Sequence, residues 1–350
     1  MKATAQSDWN GLRDEAFAGV ANHRSGGRQT AAFPPKINKT GFLPKAATSL
    51  LKMAICLAVA LGAIAGRAEV IFERISAYHH ILVYDDAATQ VRTLSFNGSW
   101  ETKMSLTNSL TGHFEYTEYF QAPWIWNHHI KRVLMIGLGG GSTQRAWQHY
   151  YTNVFADTVE IDPVVVDVAH KYFNVTESPN LAIHTNDGRV FLRRTTNTYD
   201  VILMDAYSTT RYGSSLPKHL TTREFFLIAR DHLTTNGVLA YNVIGQIYGQ
   251  RANIVGALYR TLKDVFPQVY LFPAVETQNV VMVATMSSER YDTARIKSEG
   301  ATLISSGTVT LPTFALRLDS FWDGTPPTAA SSPVLTDDYA PIEGLLQGRR

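Results

Sequence analysis

Two patterns of apolar and polar positions divide the chain from Glu69 onward. Between Glu69 and about Asn127 the runs are short and alternate. Tyr78–Tyr84 and Val91–Phe96 flank the turn-like Asp85-Asp86-Ala87-Ala88, and Asn97-Gly98 is a strong hairpin dipeptide. Alternation with period two predicts half-buried strands, hence a small antiparallel β-domain. From Arg132 the runs turn almost wholly apolar and are separated by helix-length segments. Val133–Ile136, Ala156–Ile161, Leu181–His184, Asp200–Met204 and Val238–Val243 read as strands. Thr143–Tyr150, Val164–Phe173, Thr222–Leu233 and Ile247–Val265 read as helices, with a turn at Thr235-Asn236-Gly237. Such alternation predicts an α/β fold whose parallel sheet is covered on both faces, with Val133–Ile136 as its first and most central strand. Val269–Phe272 and Asn279–Ala284 stand close enough for a hairpin and bring the expected total to seven strands. Phe114–Phe120 is expected to open a helix with Tyr116 and Phe120 on one face.

These patterns divide the chain into residues 1–68, a β-domain at 69–128, an α/β domain at 129–290 and a C-terminal extension at 291–350. Residues 1–45 mix Gly, Pro, Ser and basic residues without periodicity and are expected to be disordered. Lys52, the apolar run Met53–Ala65 and the small residues up to Ala68 together match a secretory signal. The other reading is an apolar helix of the fold. Export would place the protein in the periplasm, and an uncleaved run would anchor it to a membrane; otherwise it is cytoplasmic. The single cysteine, Cys56, lies in this run, which excludes an intrachain disulfide framework and a multi-cysteine metal site.

Charge changes the picture in one respect. The whole chain carries a formal +2. Residues 1–68 hold nine Lys/Arg against three Asp/Glu, or +6, so residues 69–350 carry 2 − 6 = −4. A mildly acidic folded part argues against nucleic acid as partner and is compatible with a cationic small molecule. No metal site is expected, because His79/His80 and His128/His129 are adjacent pairs and neighbouring strand residues point to opposite faces.

The candidate chemistry lies at strand ends. Gly137, Gly139, Gly140 and Gly141 follow the first apolar strand, Glu160 ends the second, Asp187-Gly188 follows the third, and Asp205 ends the fourth. In a parallel sheet those ends converge on one crevice. Ser142 stands where the strict dinucleotide fingerprint needs glycine, and no Gly-Lys-Ser/Thr follows, which excludes a Walker loop.

At this point a resemblance becomes specific. Ile136-Gly-Leu-Gly-Gly-Gly141, Val159-Glu-Ile-Asp-Pro163, Asp187-Gly188, Tyr199-Asp-Val-Ile-Leu-Met-Asp205 and Leu220-Thr-Thr-Arg-Glu-Phe-Phe226 resemble the polyamine aminopropyltransferases, the spermidine synthase family. Ser76–Val83, Asn97-Gly98 and Phe114–Glu118 resemble that family's N-terminal domain, and Leu335-Thr-Asp-Asp-Tyr-Ala-Pro341 its bacterial spermidine-synthase-like branch. The resemblance implies a class I methyltransferase-like, Rossmann-type seven-stranded sheet behind a small antiparallel β-domain. It implies decarboxylated S-adenosylmethionine, or S-adenosylmethionine itself, as co-substrate, with no permanently bound cofactor. By match, Glu160 holds the ribose hydroxyls, Asp187 the adenine amino group with Gly188 beside it, the glycine turn passes beside the sulfonium and Asp205 is the catalytic base. His79, Tyr116, Glu118, Tyr207, Ser208 and Asn242 are expected on the side of a small amine acceptor such as putrescine, and a homodimer is expected by analogy. Departures from the family pattern are Ser208 for a second aspartate, His79 and Asn242 for glutamines, and Thr117 for a Gln or His, and three of these positions line that side. A methyltransferase and a non-catalytic polyamine- or nucleoside-binding protein are the other two readings.

Overall fold

The structure, a computed structural model, describes residues 68–210 and 213–347. The expectations for the N-terminal 67 residues, including the signal-like run and Cys56, lie outside the described residues. Four strands, β1 (Glu69–Ile75), β2 (His80–Asp86), β3 (Val91–Phe96) and β4 (Ser99–Ser105), form an antiparallel meander. Asn97 (φ 50°) and Gly98 (φ 87°) make the tight β3–β4 turn that their sequence predicts. The strand expected at Tyr78 begins instead at His80. Ser76 Oγ accepts the N–H groups of Tyr78 and His79, and this local turn competes with the ladder.

The segment expected to open an α-helix is a 3₁₀ helix, Glu115–Ile125, with Pro123 inside it. Proline lacks the N–H that an α-helical ladder needs there. The α/β part then runs β5 (Arg132–Ile136), α1 (Ser142–Tyr150), β6 (Phe155–Glu160), α2 (Pro163–Tyr172), β7 (Leu181–Thr185), α3 (Gly188–Arg194) and β8 (Tyr199–Met204). The loop expected after β8 contains a small antiparallel pair, β9 (Ser208–Thr210) with β10 (Gly213–Ser215). There follow α4 (Arg223–Asp231), β11 (Leu233–Ile244), α5 (Ala252–Lys263), β12 (Gln268–Pro273), β13 (Asn279–Thr285), α6 (Thr293–Ser305), α7 (Phe314–Asp319) and α8 (Ile342–Leu346). The turn expected at Thr235–Gly237 is a register shift inside β11, between Leu233 and Val238.

The large sheet has the order β12-β13-β11-β8-β5-β6-β7. Pairs from β11 to β7 are parallel, while β13 is antiparallel to both neighbours. The middle strand is therefore β8, not Val133–Ile136, because the chain winds outward from β5 in one direction and from β8 in the other. Side chains of β5 alternate between two cores. Leu134 and Ile136 pack with Phe225, Phe226 and α5, whereas Val133 and Met135 pack with Tyr119, Phe120, Trp147 and α6. The small sheet docks separately, with Ile81, Val83, Leu94, Phe96 and Met104 against Val164, Val165, Val168 and Phe173 around α2. That third core brings β4 over the carboxyl ends of the large sheet. Among the described residues no helix is long and apolar enough to cross a membrane.

Candidate active site

Reversal of winding between β5 and β8 opens a crevice at their carboxyl ends. The Asp205 N–H donates to the Ile136 carbonyl at 2.8 Å, so the two strand ends leave the sheet together. Gly137 (φ 102°) passes so close that an added Cβ would meet the Asp205 carbonyl carbon at 2.7 Å. The turn it begins leads to α1 and lines a cavity through Gly137, Leu138, Gly139 and Ser142. Gly140 and Gly141, expected beside a ligand, are not among the lining residues. The Gly140 N–H bonds Thr102 Oγ1 at 2.9 Å beneath β4, and Gly141 is the N-cap of α1. Gly188 lines the cavity and packs against Ile136.

The strand-end carboxylates are held in different ways. Glu160 is buried, its oxygens accepting the N–H groups of Leu138 and Asp162 at 3.0 Å each. Burial raises its pKa, and the two backbone donors oppose the rise. Asp162 caps α2 through the Val164 N–H, with Pro163 at the first turn, and accepts a hydrogen bond from Ser76 of the small domain. Asp187 caps α3 through the Val190 N–H at 2.9 Å, while its other oxygen meets His219 Nε2 at 2.7 Å. The His219 contact is the main reason its pKa lies below the usual value.

Asp205 is the carboxylate that burial alters most usefully. Desolvation pushes its pKa up to about 6, against the pull of hydrogen bonds from Asn242 and Tyr116. Asn242 Nδ2 reaches one oxygen at 2.9 Å and Tyr116 OH the other at 3.3 Å. The Tyr207 hydroxyl donates to the Asn242 carbonyl at 2.6 Å. A carboxyl group with a pKa near neutrality, facing a cavity, can hold an ammonium group and accept its proton.

Of the residues expected on the acceptor side, His79, Tyr116, Tyr207 and Ser208 line this cavity. His79 is buried and stacked on Phe96, with ring centroids 4.4 Å apart. Its Nδ1 has no hydrogen-bond partner, and burial lowers its pKa against the pull of Asp162. Asn242 touches Asp205 and lines an adjoining cleft with Trp100, Ile244, Thr277 and Asn279. Glu101, Phe114, Tyr116 and Tyr207 border both spaces. Glu118 is not part of the site. At three residues per turn it leaves the 3₁₀ helix on a different side from Tyr116, and it meets Arg317 at 2.5 Å, Thr313 at 2.7 Å and His113 at 2.9 Å. Neighbours that the sequence did not single out are His219, Asn279, and the bidentate pair Arg189–Asp337. Only Asp337 carried a signal, through its place in the C-terminal motif. Among the described residues no group of three or more His, Cys, Asp or Glu is placed to hold a metal ion.

Residues 113–296, spanning the 3₁₀ helix, the whole large sheet and the start of α6, match the family model of the spermine/spermidine synthase domain. The chain belongs to this family. It is a transferase with a methyltransferase-like sheet, and the small β-domain at Glu69–Ser105 lies before the matched residues. A polyamine aminopropyltransferase of Vibrio vulnificus (strain CMCP6) is 28% identical over 299 residues, covering 80% of this chain and 92% of that protein. Spermidine synthase crystallised with the transition-state analogue AdoDATO aligns with a TM-score of 0.56 at 22% identity, over 73% of this chain and 84% of that one. Human methyltransferase-like protein 13 in complex with SAH aligns with a TM-score of 0.50 at 22% identity, over 62% and 99%. At these identities the two structures share the fold with this chain.

Proposed function

We propose that this protein transfers an aminopropyl group from decarboxylated S-adenosylmethionine to a small amine such as putrescine. The observation that carries this reading is the Asp205 carboxylate, hydrogen-bonded by Asn242 and Tyr116 in the cavity that Glu160 and Asp187 also line. The described residues lining that cavity include four carboxylates, Glu101, Glu160, Asp187 and Asp205, and no lysine or arginine. Such a lining favours a cationic sulfonium and ammonium over a donor that retains its carboxylate. Asp205 holds the incoming ammonium, takes its proton and aims the free amine at the carbon beside sulfur. The new C–N bond forms as the C–S bond breaks, and its electrons return to sulfur to give methylthioadenosine.

The second reading is methyl transfer from S-adenosylmethionine. Its support is the fold shared with the methyltransferase solved with SAH. Incubating the protein with each donor and a panel of amines, then following products by mass, separates the two. Methylthioadenosine with an aminopropylated amine is the expected outcome. S-adenosylhomocysteine in its place overturns the reading.

A further inference from the structure

The Leu335–Pro341 segment has no part in the mechanism above, yet it grips the wall of the same cavity. Asp337 forms a two-pronged bond with Arg189, at 2.7 and 2.6 Å, and accepts the Thr222 hydroxyl at 2.7 Å. Its own N–H donates to Glu224 at 2.9 Å, and the Leu335 carbonyl accepts the Arg223 N–H at 2.8 Å. Arg189 in turn donates to the carbonyl of His219 at 3.2 Å. The Lys218–Leu220 turn is thus tied at its middle residue to α3 through Arg189, and the start of α4 just after it is held by the same C-terminal segment. His219, Pro217 and Leu220 all line the cavity, and the His219 ring lies against Asp187.

We propose that His219 is a specificity-determining residue for a 6-aminopurine nucleoside, and that Asp337 is its positioning residue. The inference rests on the nucleoside-donor reading above. Asp187 uses one oxygen to cap α3. His219 Nε2 donates to the other oxygen, which fixes the carboxylate plane and leaves a lone pair on that oxygen directed to the cavity. An ionised carboxylate only accepts, so it suits the exocyclic amine of adenine and repels the carbonyl oxygen of a 6-oxopurine. Arg189 and Asp337 set the distance between His219 and Asp187 from behind.

The test is calorimetric titration of the full-length protein with 5′-methylthioadenosine and its 6-oxo counterpart, 5′-methylthioinosine. The wild type is expected to prefer the adenine compound. His219→Ala is expected to weaken it about tenfold while leaving the inosine compound little changed, which lowers the preference by a similar factor. His219→Gln, which keeps an N–H donor, restores most of the preference, and Asp337→Asn lowers it in the same direction. A purely structural role would weaken both nucleosides together and would not be rescued by glutamine. Wild-type preference in His219→Ala, or equal weakening of both compounds, overturns the assignment. Failure of the wild type to bind either nucleoside overturns the donor reading beneath it.

Discussion

Asn242 donates through Nδ2 to the Asp205 carboxylate at 2.9 Å, and its amide is held in that orientation by Asn279. Asn279 Nδ2 gives a hydrogen bond to the Asn242 side-chain oxygen, also at 2.9 Å. Asp205 therefore sits at the end of an amide relay that starts on an antiparallel strand outside the parallel set. Replacing Asn242 by Leu removes a donor that favours the ionised carboxylate. The acid limb of kcat/KM is expected to move upward from about 6 by roughly one pH unit, the equivalent of about 1.4 kcal/mol. Tyr116→Phe shifts it in the same direction by less, since its contact is longer at 3.3 Å. A pH–rate profile measures both, and unmoved limbs would separate Asp205 from the rate.

Asp205→Asn should reduce turnover by on the order of 10²–10⁴-fold, with donor affinity largely kept. The same change is expected to stabilise the fold. Its carboxyl has a pKa raised from 3.8 to about 6, so the native state binds the proton more tightly than the unfolded chain. The burial penalty is absent below pH 3.8, grows between 3.8 and about 6, and above that amounts to on the order of 3 kcal/mol. Denaturant unfolding of the variant at pH 5 and pH 8 tests this. A gain no larger at pH 8 than at pH 5 contradicts it.

Glu118 and Arg317 carry the opposite linkage. Burial pushes the Glu118 carboxyl up, but hydrogen bonds from His113, Arg317 and Thr313 outweigh it and bring the pKa from 4.5 down to about 2. This contribution, on the order of 3 kcal/mol, is fully present above pH 4.5 and lost as the pH falls toward 2. Arg317→Met removes the cation shared by Glu118 and the buried Glu115, leaving their other donors in place, and is expected to cost about 3 kcal/mol at neutral pH, with a smaller loss near pH 3. Chemical unfolding at the two pH values provides the comparison, and an equal loss at both would refute the linkage.

Gly137→Ala is expected to abolish activity and destabilise the fold by several kcal/mol, because an added Cβ collides with the Asp205 backbone and φ is positive. Gly98→Ala, also at positive φ but with nothing within 4 Å, should cost only about 1 kcal/mol. Thermal melts of the two variants side by side separate collision from dihedral strain.

The periodicities made the layers and all seven strands of the large sheet legible, since strands buried on both faces leave continuous apolar runs. Strand order was less so: nothing local to Val133–Ile136 tells that β8, and not it, lies in the middle. The carboxylates at Glu160, Asp187 and Asp205 could be placed because strand ends converge wherever strands run parallel. Glu118 was misplaced because its place rested on the Phe114–Glu118 motif alone, and residues two apart leave an α or a 3₁₀ helix on different sides, so only one of Tyr116 and Glu118 can face the cavity. His219 and Asn279 were illegible for another reason. They act through contacts spanning 32 and 37 residues, and no spacing rule reaches that far.

Gly137 and Asp205 share one consequence beyond their own chemistry. The start of the glycine turn and the Asp205 backbone are hydrogen-bonded and in contact, so neither can shift without carrying the other. The half of the cavity they form is mechanically one part, intolerant of drift. The wall opposite is assembled from separate pieces: a small hairpin, a 3₁₀ helix and the edge of another sheet. Divergence among enzymes built this way has an open route through what is attacking and a closed one through what is attacked.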